Sequence, residues 1–130
     1  MVYCLGMHIS FIRTPPKCHL LQYPETRQLI LKHMIHGPCG KANPSAPCMR
    51  EGFCTKHFPK PFLSATCMSE DGYPVYRRRN TGDVAEKLAR GRPFEVDNRY
   101  VVAHNRQLLL LLDCHINVEV CSTIKAIKCV

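Results

Sequence analysis

The chain has 130 residues, with 18 Lys plus Arg against 10 Asp plus Glu, giving a formal net charge of +8 and a pI near 9.2. That length allows one domain with a modest core and excludes a helicase-sized motor. The charge suits a polyanionic partner, although a basic solvated surface without a partner would carry the same charge.

The start of the chain, MVYCLGMHISFIRTPP, has no basic leader, no uninterrupted apolar core and no small-residue cleavage site. With nine cysteines and seven histidines a secreted disulfide scaffold is conceivable, but without a secretory signal the expectation is an intracellular, reduced chain. Residues 1–12 are mildly apolar and strand-prone, interrupted by Gly6, His8 and Ser10, and carry no motif. Residues 24–35, PETRQLILKHMI, form the clearest helical pattern. Pro24 stands in the first turn with Glu25 near the N-terminus, Leu29, Ile30, His33 and Met34 share one face, and Gly37 is the stop.

Residues 36–62, HGPCGKANPSAPCMREGFCTKHFPKPF, have no apolar periodicity, so burial of side chains cannot order them as an ordinary helix or strand. His36, Cys39, Cys48 and Cys54 read H-x2-C-x8-C-x5-C, enough donors for one tetrahedral zinc held by thiolates and an imidazole. Gly37, Gly40 and Gly52 beside them would permit the tight turns of such a knuckle. Cys67 and His57 are nearby spares. The competing reading is free buried thiols, or a loop whose cysteines are incidental, because Cys is also a small and well-buried residue.

Residues 73–79, YPVYRRR, end in three arginines and are followed by turn chemistry at Asn80, Thr81 and Gly82. Residues 94–102, FEVDNRYVV, are β-prone and are expected to pair with them antiparallel across a charged loop at 83–92. Aromatics interleaved with arginines suit single-stranded nucleic acid, with Tyr73 and Tyr76 as stacking platforms and Arg77, Arg78, Arg79, Arg99 and Lys56 on phosphate. A hairpin edge kept soluble by its cations would look the same. Residues 106–112, RQLLLLL, contain the longest apolar run, far short of the roughly 20 residues that span a bilayer. They read as a buried helix turn or core strand. Residues 114–121, CHINVEVC, alternate as a strand with His115, Asn117 and Glu119 on one face. That polar face is either part of a site or an ordinary polar network. Ser122 then caps a helix start, STIKAIK.

The blocks MIHGPCGKANPSAPCM, CTKHFPKPF, EDGYPVYRRRNTG, DNRYVV and HINVEVC, in this order and spacing, resemble the Helitron helicase-like region. That region is the replication-initiator part of the Rep/helicase protein of eukaryotic Helitron transposons. The resemblance runs from Leu29 to Lys128 and implies an α+β fold: a fragment of an HUH-type antiparallel sheet with one or two helices and an irregular, Cys-rich, metal-stapled insertion. It divides the chain into a degenerate N-terminal segment, 1–23, and a partial domain, 24–130. It also implies a missing stretch near residues 22–25, where the family has a longer segment.

In that family two imidazoles at i and i+2 on a strand hold Mg or Mn, which polarises the scissile phosphate, and tyrosines take the phosphate covalently. Here the R-x-x-P-H-x-H motif corresponds to RTPPKCHLL, so Lys17 stands at the first imidazole position and only His19 remains. Cys129 stands at the first tyrosine position, and the second falls beyond Val130. The expected reading is a truncated Helitron-type protein without cleavage activity that binds zinc and, weakly and without sequence preference, single-stranded DNA, placing it in the nucleus if functional. The alternative is a domesticated small protein-interaction module in which the knuckle is a structural staple.

Overall fold

The computed structural model describes residues 24–89 and 91–119. The expected strand at 1–12, Lys17, His19, the helix start at 122 and Cys129 lie outside these residues. The described chain is α+β, with two helices and three two-stranded antiparallel sheets.

Helix α1, Pro24–His33, opens on Pro24 and Glu25 and closes on Lys32 and His33, so the charges complement the helix dipole at both ends. Past it the chain extends alongside residues 100–102. Val102 N–H donates to the Met34 carbonyl at 2.7 Å, His36 N–H donates to the Tyr100 carbonyl at 2.9 Å, and Ile35 bridges Val101. Helix α2, Arg106–Leu112, is capped at its start by Asn105, whose side-chain oxygen accepts from Leu108 N–H at 3.1 Å. It ends at Asp113, a left-handed residue with φ 41°. Arg106 meets Glu25 at 3.1 Å and Lys32 meets Asp113 at 3.1 Å. The helices therefore run side by side in the same direction, clasped at both ends.

Strands β1, Met49–Arg50, and β2, Phe53–Cys54, form a hairpin turned by Glu51 and Gly52. Both turn residues have positive φ, 49° and 83°, as a two-residue turn matched to strand twist requires. Strands β3, Cys67–Met68, and β4, Pro74–Val75, form a second pair. Strands β5, Ala85–Ala89, and β6, Arg92–Val96, form the longest ladder, in register from Ala85 opposite Val96 to Ala89 opposite Arg92.

Two sequence expectations differ from the structure. The 73–79 run does not pair with 94–102: its strand joins Cys67–Met68, while Arg92–Val96 folds back on Ala85–Ala89, the stretch expected to be a charged loop. Gly91, at φ 75°, closes that hairpin locally, and a short closure costs less chain entropy than a long one. Residues 114–119 form no ladder either. Among the described residues their backbone-to-backbone tie is Val118 N–H to the Ala103 carbonyl at 3.2 Å. The expected fold class holds, with the strands gathered in separate pairs among the described residues.

The buried side chains fall into two groups. Ile30, Met34, Ile35, Tyr76, Ala85, Val96, Val101, Ala103 and Leu109 form the apolar core between the helices and the β5–β6 ladder. Cys39, Ala46, Met49 and Cys54, with Cys48 and Phe58 against them, form the other. Only Leu109 of the leucine run is fully buried, and Leu111 remains 77% exposed. No described helix is long and apolar enough to cross a membrane.

Candidate metal centre

The second group is built by turns. Residues 40–49 descend through three of them, with Asn43 N–H bonding to Gly40, Ala46 to Asn43 and Met49 to Ala46, while Gly40 N–H points at the Met49 sulfur at 3.2 Å. Gly37 and Gly40 take the positive φ values, 111° and 67°, that these turns need. The β1–β2 hairpin then brings Cys54 back beside Cys48, whose carbonyl accepts from both the N–H and the hydroxyl of Thr55 at 2.8 and 3.0 Å. The outcome is that one donor atom each from His36, Cys39, Cys48 and Cys54 lies within 4.8 Å of the others. This group could hold a metal ion. Cys67 is exposed on β3 and His57 is exposed with φ 55°, so neither spare joins it. The five described cysteines are free thiols.

The surroundings prepare these donors. The His36 ring is stacked on Phe58, with centroids 4.1 Å apart and planes 14° from parallel, and its Nε2 lies 3.3 Å from the Cys54 sulfur. Burial, with the charges of Lys60 and Lys56, lowers the His36 pKa and keeps the imidazole neutral, the form that ligates. Burial pushes the Cys39 thiol up to about 12, assisted by its contacts with Cys54 and Cys48. Burial also opposes ionisation of Cys54. There, however, the backbone N–H groups of Phe58 and Lys56 and the thiols of Cys48 and Cys39 outweigh it and lower its pKa. Cys54 therefore gives up its proton more readily than an ordinary thiol, and a bound cation would draw the proton from Cys39.

The residues expected to contact nucleic acid divide. Lys56, Arg77 and Arg79 are exposed and Tyr73 is partly so. Tyr76 and Arg78 are not available. Tyr76 is 8% exposed and belongs to the apolar core, while Arg78 is 5% exposed and donates to the carbonyls of Asn98 and Val101 at 2.6 and 2.7 Å. The backbone of Arg78 also pairs with Leu63, and the Asn98 amide donates to the Arg79 carbonyl, so three loops meet at this buried cation. Strand alternation is the reason: of three consecutive arginines, the middle one faces inward. Arg99 is held by both oxygens of Asp97 and has its guanidinium carbon 4.9 Å over the Phe62 ring.

On the expected polar face, Asn117 donates to Glu119 at 3.1 Å. The His115 Nδ1 instead bonds the His33 carbonyl at 2.6 Å, at the end of α1. Phe58 was missed by sequence reasoning. Its ring carries His36 on it and has the Lys60 ammonium 5.3 Å and the Arg78 guanidinium 5.9 Å from its centroid, joining the metal group to the Arg78 junction. Its position in CTKHFPKPF, four residues after a donor cysteine, was the available signal.

These features define a small α+β module with a four-donor His/Cys centre. Comparison with protein-family models finds no matching family, and comparison with curated proteins finds no match.

Proposed function

We propose that the chain is a Helitron-related module, stapled by one structural zinc, that binds single-stranded DNA weakly and without sequence preference and does not cleave it. The observation that carries the zinc assignment is the donor group itself. Three sulfurs and an imidazole within 4.8 Å of one another need to close only slightly to reach a tetrahedron with bonds of about 2.3 Å to sulfur and about 2.0 Å to nitrogen. Soft donors of this kind select zinc over the Mg or Mn used by the nucleases of the resembling family, so the centre serves as a staple and not as a cleavage site.

The single-strand reading is supported by the net charge of +8 and by exposed Lys56, Arg77 and Arg79, with Tyr73 close in sequence to the two arginines. Absence of cleavage follows from the resemblance, in which Lys17 places an ammonium where a metal-binding imidazole belongs and Cys129 replaces the attacking phenol. A DNA-binding role places the protein in the nucleus. The protein-interaction alternative draws on one observation, the exposed leucines 110, 111 and 112 of α2.

Two measurements test the proposal. Metal analysis of purified protein is expected to give one zinc per chain, lost in Cys48→Ser. A salt titration of single-stranded DNA binding is expected to fall at roughly −0.7 in log affinity per phosphate neutralised. Binding unchanged on replacing Arg77 and Arg79 together by Ala would favour the interaction module.

A further inference from the structure

The groove beside the Arg78 junction has a volume of about 240 Å³ and is lined by Phe62, Arg79, Asp83, Asp97 and Arg99 among others. We infer that it is a nucleotide subsite, in which one base of a single strand stacks on the Arg99–Phe62 ledge and its phosphate meets Arg79; this rests on the single-strand reading above.

The groove has the size and the rigidity that one base requires. Pockets for drug-sized ligands run about 300–1,000 Å³, so this groove is on the scale of one base. Arg99 is not a loose surface cation. Asp97 accepts from its Nε at 2.9 Å, from its Nη2 at 2.7 Å and from its backbone N–H at 2.8 Å, which fixes the guanidinium plane over Phe62. The side chain still keeps 40% of its surface exposed. A planar group held in place before the ligand arrives loses little entropy on stacking.

Charge decides what the groove selects. Arg79 and Arg99 are balanced by Asp83 and Asp97, so the lining carries no net charge and is a poor site for a bare anion. Arg79 has no ion-pair partner among the described residues, whereas the charge of Arg99 is already answered by Asp97. The phosphate is therefore directed to Arg79 and away from Asp83, whose carboxylate accepts from base N–H groups. Recognition here comes from stacking, with charge setting the orientation. This differs from the exposed Lys56 and Arg77, which see only phosphate.

The test compares a short oligodeoxyadenylate with an abasic strand of the same length, so that phosphates are kept and bases removed. The full-length, zinc-loaded protein is expected to bind the oligodeoxyadenylate about tenfold more tightly than the abasic strand, the scale of one stacked base. Phe62→Leu and Arg99→Lys are each expected to abolish that difference, and Arg77→Ala to weaken both strands alike. In the wild-type protein, which needs no variant to fold, the amide signals of Asn80 and Thr81 are expected to shift with oligodeoxyadenylate and not with inorganic phosphate. Equal binding of the two strands, or silent Asn80 and Thr81 amides while the oligonucleotide binds, would overturn the subsite and leave the single-strand reading standing. No binding of either strand would overturn both.

Discussion

The imidazole of His36 lies flat on the ring of Phe58, its centroid 4.1 Å away. This contact fixes a metal-donor ring by packing and leaves Nε2 directed at the Cys54 sulfur. Phe58→Ala removes the support without removing a donor, and zinc affinity is expected to fall about tenfold, the lower end of the cost of losing an outer contact of a metal ligand. Competition with a chromophoric chelator measures it, and unchanged affinity would show that the ring is incidental.

Arg78 holds three loops from inside. Replacing it by Met keeps the volume but leaves the Asn98 and Val101 carbonyls without their shared donor. A loss of about 2–4 kcal/mol in unfolding free energy is expected, read from the urea midpoint. Arg77→Met, on the exposed neighbour, is expected to change stability by less than about 0.5 kcal/mol.

His104 contributes to the acid sensitivity of the fold. It is buried, with Nδ1–H donating to the Val102 carbonyl at 2.9 Å, and burial lowers its pKa against the opposing pull of that bond, with Arg78 adding to the lowering. The unfolded chain takes a proton near the ordinary value of 6.5 while the folded chain resists it. Stability is thus fully present above that value and declines as pH falls below it. His36 shifts in the same direction. The loss of urea resistance between about pH 7 and pH 5 is expected to shrink, and not to vanish, in His104→Gln.

Glu86 stands directly opposite Glu95 across the β5–β6 ladder, and both are exposed. Like charges in this relation destabilise a sheet, so Glu86→Lys is expected to add about 0.5 kcal/mol. The thermal midpoint should rise by about 2–4 °C. A fall would mean that the two carboxylates are not neighbours in solution.

Much of this is legible in the amino-acid sequence. The helix at 24–33 follows from Pro24, Glu25 and one apolar face, all local signals. The four donors were readable because a stretch without apolar periodicity must be ordered by something else, and their spacing fits one ion. The β5–β6 pairing was not readable, because its alternation is masked by Lys87, Glu86 and Glu95, and the exposed Leu88 contradicts the usual pattern. Nor could the inward turn of Arg78 be foreseen. A run of three arginines gives no hint of which one meets carbonyls from residues 20 and 23 positions further along the chain.

The clasp between the helices joins partners 81 positions apart, Glu25 with Arg106 and Lys32 with Asp113. On a growing chain α1 therefore waits for nearly the whole domain to be made before its apolar face is covered, whereas the four metal donors all lie within residues 36–54. Contacts local in sequence form early and distant ones late. With zinc bound as proposed, assembly would run from the staple outward: chains stalled on the ribosome before α2 would take up the ion while α1 remained open to protease, and the apolar core would close only after the leucine helix emerged.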